Sequence, residues 1–373
     1  MEENFIRLFE NRHQMAQEAH AQGKKIVGYI YTYVPQELIH AAGAWPMQLT
    51  EEVQAHGVSL PDHFPDYVCD YLETILDEGL RGTYDYLDGL IVPHGCESLR
   101  GFFGMWCMNV STPFTYVFSP PNKINPAAQE YLFQEFQHQK TLLENFLSTQ
   151  VTASDLEESI GIYNEIRSLI RDIYSLRSQD NPVVSGSEVF SLMRAGLVTP
   201  PEDFLLQLKA FMAQLSSRSN SPAGKTRIMV QALAFEECFS SVLNLVKMVE
   251  DLGGHIVADD LNQGLRWITA PLSLEGDPFA SLARYYLEEV TGAYLQPAAR
   301  RVENLLQAAT RAQVDGVIVC TTKYCDPYSF ELPYLEKAFQ DKGFPVLLLE
   351  TSLSMPSAQV KNRVEAFFEI LKA

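Results

Sequence analysis

Six cysteines, at positions 69, 96, 107, 238, 320 and 325, are the residues of this chain whose type best suits metal or redox chemistry. Their thiolates can bind soft metal ions or iron–sulfur clusters. Zinc is poorly supported, because the sequence has no C-x2-C pair and no His-x3-His, and Cys320 and Cys325 form only a C-x4-C. Thiolates scattered over separate loops favour an iron–sulfur cluster instead. The alternative is that the cysteines are inert, since thiols in folded proteins are often simply buried.

Cys96 and Cys107 belong to a stretch that predicts a strand, a turn and a helix. The apolar run 87–93 stops at a proline, the turn falls at His94 and Gly95, and a helix follows. Eleven residues are about three helical turns, so Cys107 is expected on the same helical face as Cys96. Cys69 is expected in the first turn of an earlier helix, over about 66–80.

The pattern of apolar runs repeats in the second half of the chain. Runs at 25–31, 45–49, 87–93 and 114–118 have counterparts at 226–232, 252–258, 314–320 and 344–349. Continuous apolar strands that alternate with helices are typical of a parallel sheet covered on both faces. We therefore predict two doubly wound α/β domains of the Rossmann or flavodoxin type, each with a roughly four-stranded parallel sheet, at 1–125 and 225–373. A helical connecting layer is predicted at 126–224, where the apolar spacing is helical.

This topology is expected to bring the cysteines together. Ligands collect beyond the carboxyl ends of the strands in open α/β sheets, and all six cysteines fall near such ends, so the thiols converge if the two domains face each other across a cleft. Polar residues beside the cysteines are candidates for proton relay or for hydrogen bonds to sulfur: His94, Glu97, Glu236, Glu237, Lys323 and Tyr324. The alternative for each of them is an ordinary loop residue, a helix cap or a surface ion pair.

The overall charge argues against two classes of partner. The net charge is −19 over 373 residues, which does not suit the phosphate backbone of a nucleic acid or an anionic membrane surface. No apolar run reaches the ~18 residues of a membrane span, and the acidic N-terminus has no signal-peptide pattern. We therefore expect a cytoplasmic protein without a disulfide framework. The segment 219–226 nearly matches a phosphate-binding loop, but it begins with serine and precedes a strand, so no ATP site is predicted.

Three segments match motifs of a known family. They are YVPQELIHAAG at 33–43, the stretch from YDYLDG at 84–89 to CESLR at 96–100, and KYCDP at 323–327. With these motifs the chain resembles the 2-hydroxyacyl-CoA dehydratase and benzoyl-CoA reductase family, and LMRAGLV at 192–198 is similar to the reductase branch. The resemblance covers nearly the whole chain. Residue by residue, it implies that Cys69, Cys96 and Cys325 bind a single [4Fe-4S] cluster.

The remaining cysteines, Cys107, Cys238 and Cys320, indicate a branch of this family with a double-cubane [8Fe-9S] cluster, in which all six thiols would bind metal. Members of that branch resemble homodimeric, ATP-driven reductases of small molecules, which depend on a separate iron–sulfur ATPase for electrons. The candidate catalytic residues are then His94, Glu97, Glu237 and Lys323.

Two alternatives to the double-cubane hypothesis stay open. The first is a subunit of a 2-hydroxyacyl-CoA dehydratase or benzoyl-CoA reductase, with one [4Fe-4S] cluster and a CoA thioester as substrate. The second is a non-enzymatic two-domain protein that closes around a small molecule and has inert cysteines. One departure from the family pattern is Glu97, which follows Cys96 where many members have Asp.

Overall fold

The first half of the chain contains four strands with helices between them. The computed structural model describes residues 2–50, 68–219, 224–233, 239–261, 264, 268, 270–290, 292–351 and 357–372. The elements of the first half are α1 (Glu2–Glu10), α2 (Arg12–Ala21), β1 (Ile26–Tyr29), α3 (Gln36–Ala41), β2 (Trp45–Gln48), α4 (Asp70–Leu80), β3 (Gly89–Pro93), α5 (Glu97–Asn109) and β4 (Phe114–Phe118).

Four helices lead from the first sheet to the second. They are α6 (Pro126–Leu147), α7 (Ala153–Arg177), α8 (Gly186–Val198) and α9 (Pro201–Leu215). The elements of the second half are β5 (Thr226–Leu233), α10 (Phe239–Asp251), β6 (Gly254–Asp260), α11 (Pro278–Glu288), α12 (Ala298–Arg311), β7 (Gly316–Thr322), α13 (Asp326–Asp341), β8 (Val346–Thr351) and α14 (Ser357–Lys372).

The two sheets have the same topology. The strand order is β2-β1-β3-β4 in the first sheet and β6-β5-β7-β8 in the second, and every pair of neighbours is parallel. The prediction of two doubly wound α/β units with four parallel strands each is confirmed, and so is the internal repeat. In the first sheet, β2 lies on one side of β1 and β3 lies on the other, and the second sheet repeats this arrangement around β5. Such a reversal of direction places a crevice at the carboxyl ends of the two central strands.

Several element boundaries differ from the sequence prediction. The helical spacing of apolar residues over 3–22 predicts one helix, whereas the structure has two, α1 and α2, separated at Asn11. Helix α4 begins at Asp70, so Cys69 caps the helix and does not lie in its first turn. The sequence also predicts a polar loop over 51–65 and a linker over 216–224, and of these 51–65 and 220–223 lie outside the described residues. Among the described helices, none is both long and apolar enough to span a bilayer.

Helix α7 connects the two halves through buried ion pairs. The Arg167 guanidinium binds the carboxylate of Glu37 on α3, and neither side chain is exposed to solvent. Ten residues further along α7, Arg177 donates to the carboxylate of Asp259 on β6 over 2.8 Å. Buried ion pairs add little net stability, but breaking one leaves a charge without compensation in the interior. The two pairs therefore fix the position of α7 against both sheets.

Helix α11 belongs to the second half of the chain but packs against the first half. Its apolar residues, among them Phe279, Leu282 and Tyr286, belong to one buried cluster with Val27 of β1 and Phe136 of α6. The Tyr286 hydroxyl donates to Glu37 over 2.7 Å, which joins α11 to the ion pair of α3 and α7. The second half of the chain thus supplies part of the core that covers the first sheet.

His255 on β6 makes the stability of the fold dependent on pH. Its ring Nε2 donates to the Arg177 carbonyl over 2.7 Å, and burial lowers its pKa to about 4. The unfolded chain takes up this proton near pH 6.5, so stability is lost as the pH falls from about 6.5 towards 4. We expect the His255 contribution to fall by about 2 kcal/mol between pH 7 and pH 5.

Urea unfolding of wild type and His255→Gln at both pH values measures this effect. Glutamine keeps an N–H donor for the Arg177 carbonyl but has no proton to gain in this range. The variant should therefore lose about 2 kcal/mol less than wild type on acidification. An equal loss in both proteins would show that His255 does not titrate as described.

Candidate active site

A cavity lies where the carboxyl ends of the strands meet between the two halves. Ile30 and Tyr31, which follow β1, line one side of the cavity together with Gly95 and Cys96, which follow β3. This is the crevice that the strand order places between β1 and β3. The remaining lining residues of the first half are Cys69, Tyr71, Leu72 and Leu99, and those of the second half are Tyr294, Cys325, Pro327 and Tyr328.

Three of the six cysteines, Cys69, Cys96 and Cys325, line this one cavity. All three are partly buried. The first two come from the first half and Cys325 comes from the second, more than 220 residues further along the chain. The prediction that thiols from both halves would face one cleft therefore holds for these three residues.

Each of the three cysteines is the N-cap residue of a helix. Cys69 precedes α4, Cys96 precedes α5 and Cys325 precedes α13. The positive ends of three helix dipoles thus lie beside the cavity, and they favour negative charge there. Since a thiolate is the form of cysteine that binds metal, this placement suits anionic sulfur ligands.

Cys107 and Cys320 do not line the cavity. Cys107 is exposed near the end of α5, and its Sγ lies 3.6 Å from the Thr115 hydroxyl. Cys107 is eleven residues beyond Cys96, and at 1.5 Å per residue that is about 16 Å along the helix, so sharing a face does not bring the two thiols together. The Cys320 side chain is fully buried in an apolar cluster, and burial raises its pKa to about 12. Cys238 lies outside the described residues.

The predicted proton-relay residues that the structure describes lie outside the cavity lining. His94 contacts the Ser119 hydroxyl at 3.3 Å and the Glu97 carboxylate at 3.4 Å. The Glu97 side chain is 77% exposed and also contacts Arg100 at 3.1 Å, which is the geometry of a surface ion pair. Lys323 is exposed on the loop before Cys325. Glu236 and Glu237 lie outside the described residues.

Four tyrosines line this site, and the sequence did not predict any of them as a site residue. Tyr31, Tyr71, Tyr294 and Tyr328 all line the cavity. Tyr31 follows β1 by two residues, and its position beyond a strand's carboxyl end was a signal that could have identified it. Tyr328 lies in the first turn of α13, three residues after Cys325.

A buried cluster of charges fixes helix α13 and with it Cys325. Arg301 on α12 donates to Glu331 on α13 over 2.7 Å and also binds Asp260 at the end of β6. All three side chains are 3% exposed. The Arg301 guanidinium lies 5.5 Å from the ring centre of Tyr328. The cluster therefore determines where the first turn of α13, including a cavity tyrosine and the capping cysteine, stands against the second sheet.

The fold and the cavity define a class of protein with two α/β halves, in which thiols from both halves line one shared crevice. The family model described as 2-hydroxyglutaryl-CoA dehydratase, D-component, matches residues 31–371. The chain belongs to this family, as the motifs indicated.

Characterised relatives are subunits of dehydratases and of a reductase. The chain is 29% identical to a benzoyl-CoA reductase subunit of Thauera aromatica, over 94% of this chain and 91% of that protein. It is 26% identical to the (R)-phenyllactyl-CoA dehydratase beta subunit of Clostridium sporogenes, over 94% of this chain and 92% of that subunit. It is 24% identical to the beta subunit of (R)-2-hydroxyglutaryl-CoA dehydratase from Acidaminococcus fermentans, over 99% of this chain and 98% of that subunit.

Proposed function

We propose that this chain is the iron–sulfur subunit of a 2-hydroxyacyl-CoA dehydratase or of a reductase of the benzoyl-CoA type, with one [4Fe-4S] cluster bound by Cys69, Cys96 and Cys325. The observation that carries the proposal is that these three thiols, on three different helices from both halves, line one cavity. Family membership and the named relatives support an acyl-CoA thioester as the substrate class.

The three cysteine thiolates are suitable ligands for a [4Fe-4S] cluster that is held by three protein side chains. Thiolates are the usual ligands of such clusters, and each binds a different iron atom, so the three sulfur atoms need not meet at one point. In the described part of the chain, no three His, Cys, Asp or Glu side chains are grouped closely enough for a single metal ion. When bound, a cluster with three thiolate ligands supplies low-potential electrons and leaves one iron open to a substrate.

The double-cubane hypothesis fits this geometry less well. It requires six thiolates around one cluster, and two of the six are elsewhere: Cys320 in an apolar core and Cys107 on the exposed end of α5. A ligand role for them stays a prediction. Loss of iron from Cys107→Ala or Cys320→Ala would favour the double cubane, and retention of iron in both would favour the single one.

The residues around the thiols supply the environment that such a cluster needs. Ile30, Leu72 and Leu99 give the cavity an apolar wall that excludes water. The helix N-termini at the three cysteines place partial positive charge beside the thiolates. The apolar wall lowers the reduction potential of a cluster, whereas the helix dipoles and hydrogen bonds to sulfur raise it.

The proposal includes partner proteins. The relatives are named as subunits of dehydratases and of a reductase, so we propose that this chain works with at least one further subunit. We also propose that a separate iron–sulfur ATPase delivers the electrons. A homodimer is the corresponding prediction of the double-cubane hypothesis.

An anaerobic assay with two classes of acyl-CoA tests the function. The tagged chain, isolated with its co-purifying subunits and supplied with ATP and the electron-donating ATPase, is incubated with a 2-hydroxyacyl-CoA or with benzoyl-CoA. A dehydratase converts the first to a 2-enoyl-CoA and water, without net reduction. A reductase adds two electrons and two protons to the aromatic ring of the second.

Formation of either product supports the proposal and decides between its two forms. Conversion of neither acyl-CoA by a preparation that contains the cluster would overturn the acyl-CoA assignment. Reduction of non-CoA small molecules by the same preparation would instead support the double-cubane type of activity. The control is the Cys325→Ala chain carried through the same purification, because it lacks one of the three ligands.

A further inference from the structure

A second cavity lies at the outer edge of the second sheet and shares no lining residue with the thiol cavity. We call it the α12 groove, and it is lined by Ser178 after α7, Ala258 of β6, Glu288 of α11 and the face of α12 from Arg300 to Arg311. Its volume is about 640 Å³, which is in the range of small-molecule sites. β6 is an edge strand, and its pairing with β5 skips Val257, a lining residue of the groove. Such irregularities are common where a sheet edge borders a binding site.

One face of α12 presents a row of hydrogen-bond donors to the groove. Arg300, Asn304, Gln307 and Arg311 follow one another at intervals of three or four residues, so they lie on the same side of the helix, and all four are exposed. Arg311 donates to the Gln307 carboxamide over 3.0 Å. In the described part of the chain, the side chains of Arg300 and Asn304 make no hydrogen bond or ion pair. Their donors can therefore bond to a ligand in the groove.

The position of Arg300 is unfavourable for the helix itself. Arg300 lies in the first turn of α12, where the helix dipole disfavours a cation, and that turn contains no acidic residue. The neighbouring Arg301 is neutralised by two buried carboxylates. Arg300 makes no such pair with any residue that the structure describes. An anion bound in the groove would offset this unfavourable placement.

Carboxylates in the groove limit the kind of anion that fits. Glu288 and Glu289, at the C-terminal end of α11, line the groove and are half-buried. A ligand must therefore offer hydrogen-bond donors to these carboxylates as well as an anionic group to Arg300. A nucleotide combines the two, since its phosphates are anionic and its ribose hydroxyls are donors. The Asn304 carboxamide favours adenine, because an amide can both donate to and accept from the edge of this base.

We propose that the α12 groove binds an adenine nucleotide, with the phosphates against Arg300 and the base against the Asn304 carboxamide. Two sources carry this chemistry: the nucleotide end of an acyl-CoA thioester, and free ADP or ATP. The site uses neither the three thiols nor the segment 219–226, so it does not depend on the proposed cluster.

Isothermal titration calorimetry of the full-length, anaerobically purified chain tests this proposal. The probes are ADP, GDP, inorganic pyrophosphate and 3′-phosphoadenosine 5′-diphosphate, which is the nucleotide end of coenzyme A. We expect saturable binding of the adenine nucleotides, about tenfold tighter than that of GDP or pyrophosphate. Tighter binding of the 3′-phosphorylated probe than of ADP would identify the thioester as the source, and equal or weaker binding would identify a free nucleotide.

Arg300→Gln is expected to raise the dissociation constant for ADP about tenfold, because it removes a charge-assisted bond to phosphate. Asn304→Ala should abolish the preference for ADP over GDP. The matched control is Arg284→Gln, which removes an exposed arginine of α11 that does not line the groove and should leave the affinity unchanged.

Failure of both adenine nucleotides to bind, or an equal loss of affinity in Arg300→Gln and Arg284→Gln, would overturn this proposal. A chain that contains the cluster but binds neither nucleotide would leave the proposed function intact. An iron-free chain that still binds ADP with the expected loss in Arg300→Gln would support the groove as a nucleotide site and overturn only the cluster.

Discussion

Replacement of Cys325 by alanine is expected to lower the iron content of the anaerobically purified chain at least tenfold, from about four iron atoms per chain. Cys325 is the ligand that the second half contributes to the cavity, and without it only two thiols line the site. Two thiolates from the first half cannot hold a cubane against competing chelators as three can. Cys69→Ala and Cys96→Ala should give the same loss, since each also removes one of the three ligands. Iron analysis and the visible absorption of the cluster measure the effect.

The controls are alanine variants of the two described cysteines that lie elsewhere. Cys107→Ala changes an exposed side chain, and Cys320→Ala removes a small buried one, so both chains should fold and keep the wild-type iron content. Iron retained in Cys325→Ala would contradict the ligand assignment. About eight iron atoms in wild type, together with a loss of iron in Cys107→Ala or Cys320→Ala, would instead support a double-cubane cluster.

Replacement of Arg301 by alanine is expected to destabilise the chain by about 3–5 kcal/mol. The guanidinium lies between two carboxylates, those of Asp260 and Glu331, and both are buried. Without it the two acids face each other in the interior, and one of them has to take up a proton or draw water inward. Urea unfolding of the apoprotein at pH 7 measures the loss of stability. We also expect weaker iron retention, because Glu331 lies on the helix that Cys325 caps.

Arg311→Ala is the matched control for Arg301→Ala. Arg311 lies on the same helix, but it is exposed and bonds to Gln307 one turn earlier. Its loss should change the stability by no more than about 0.5 kcal/mol and should leave the iron content unchanged. An effect of Arg301→Ala below about 1 kcal/mol would show that the buried cluster does not position α13 as described.

Much of the fold could be predicted because the parallel strands are buried on both faces. The central strands β1 and β3 are fully buried, and their sequences, IVGY and GLIVP, have no charged side chain, which marks such strands directly in the sequence. The repeat of these runs then predicted two similar sheets. The path of α11 could not be predicted in this way. Its apolar face indicates burial, but periodicity does not identify which sheet will bury it.

The candidate site could be predicted in part. Motif resemblance and position at strand ends identified Cys69, Cys96 and Cys325, which line one cavity. Cys107 was expected on the same helical face as Cys96, but eleven residues at a rise of 1.5 Å separate the two along the helix, and Cys107 does not line the cavity. Cys320 was included because it ends a strand, but alternate residues of a strand face opposite sides, and this one faces an apolar core.

Tyr31 and Tyr328, whose hydroxyls lie 2.9 Å apart, line the cavity although the sequence did not predict them as site residues. His94, Glu97 and Lys323 are neighbours of cysteines in the sequence, yet they point to solvent or to one another. Tyr31 and Tyr328 are 297 residues apart, and only the packing of the two halves brings their hydroxyls together.

The measurement that tests the central claim most directly is the iron and acid-labile sulfide content of the full-length chain, purified without oxygen. A single [4Fe-4S] cluster predicts about four iron atoms and about four sulfides per chain. A colourless, iron-free protein would contradict the claim that Cys69, Cys96 and Cys325 hold an iron–sulfur cluster, and about eight iron atoms per chain would contradict the claim that they hold a single one.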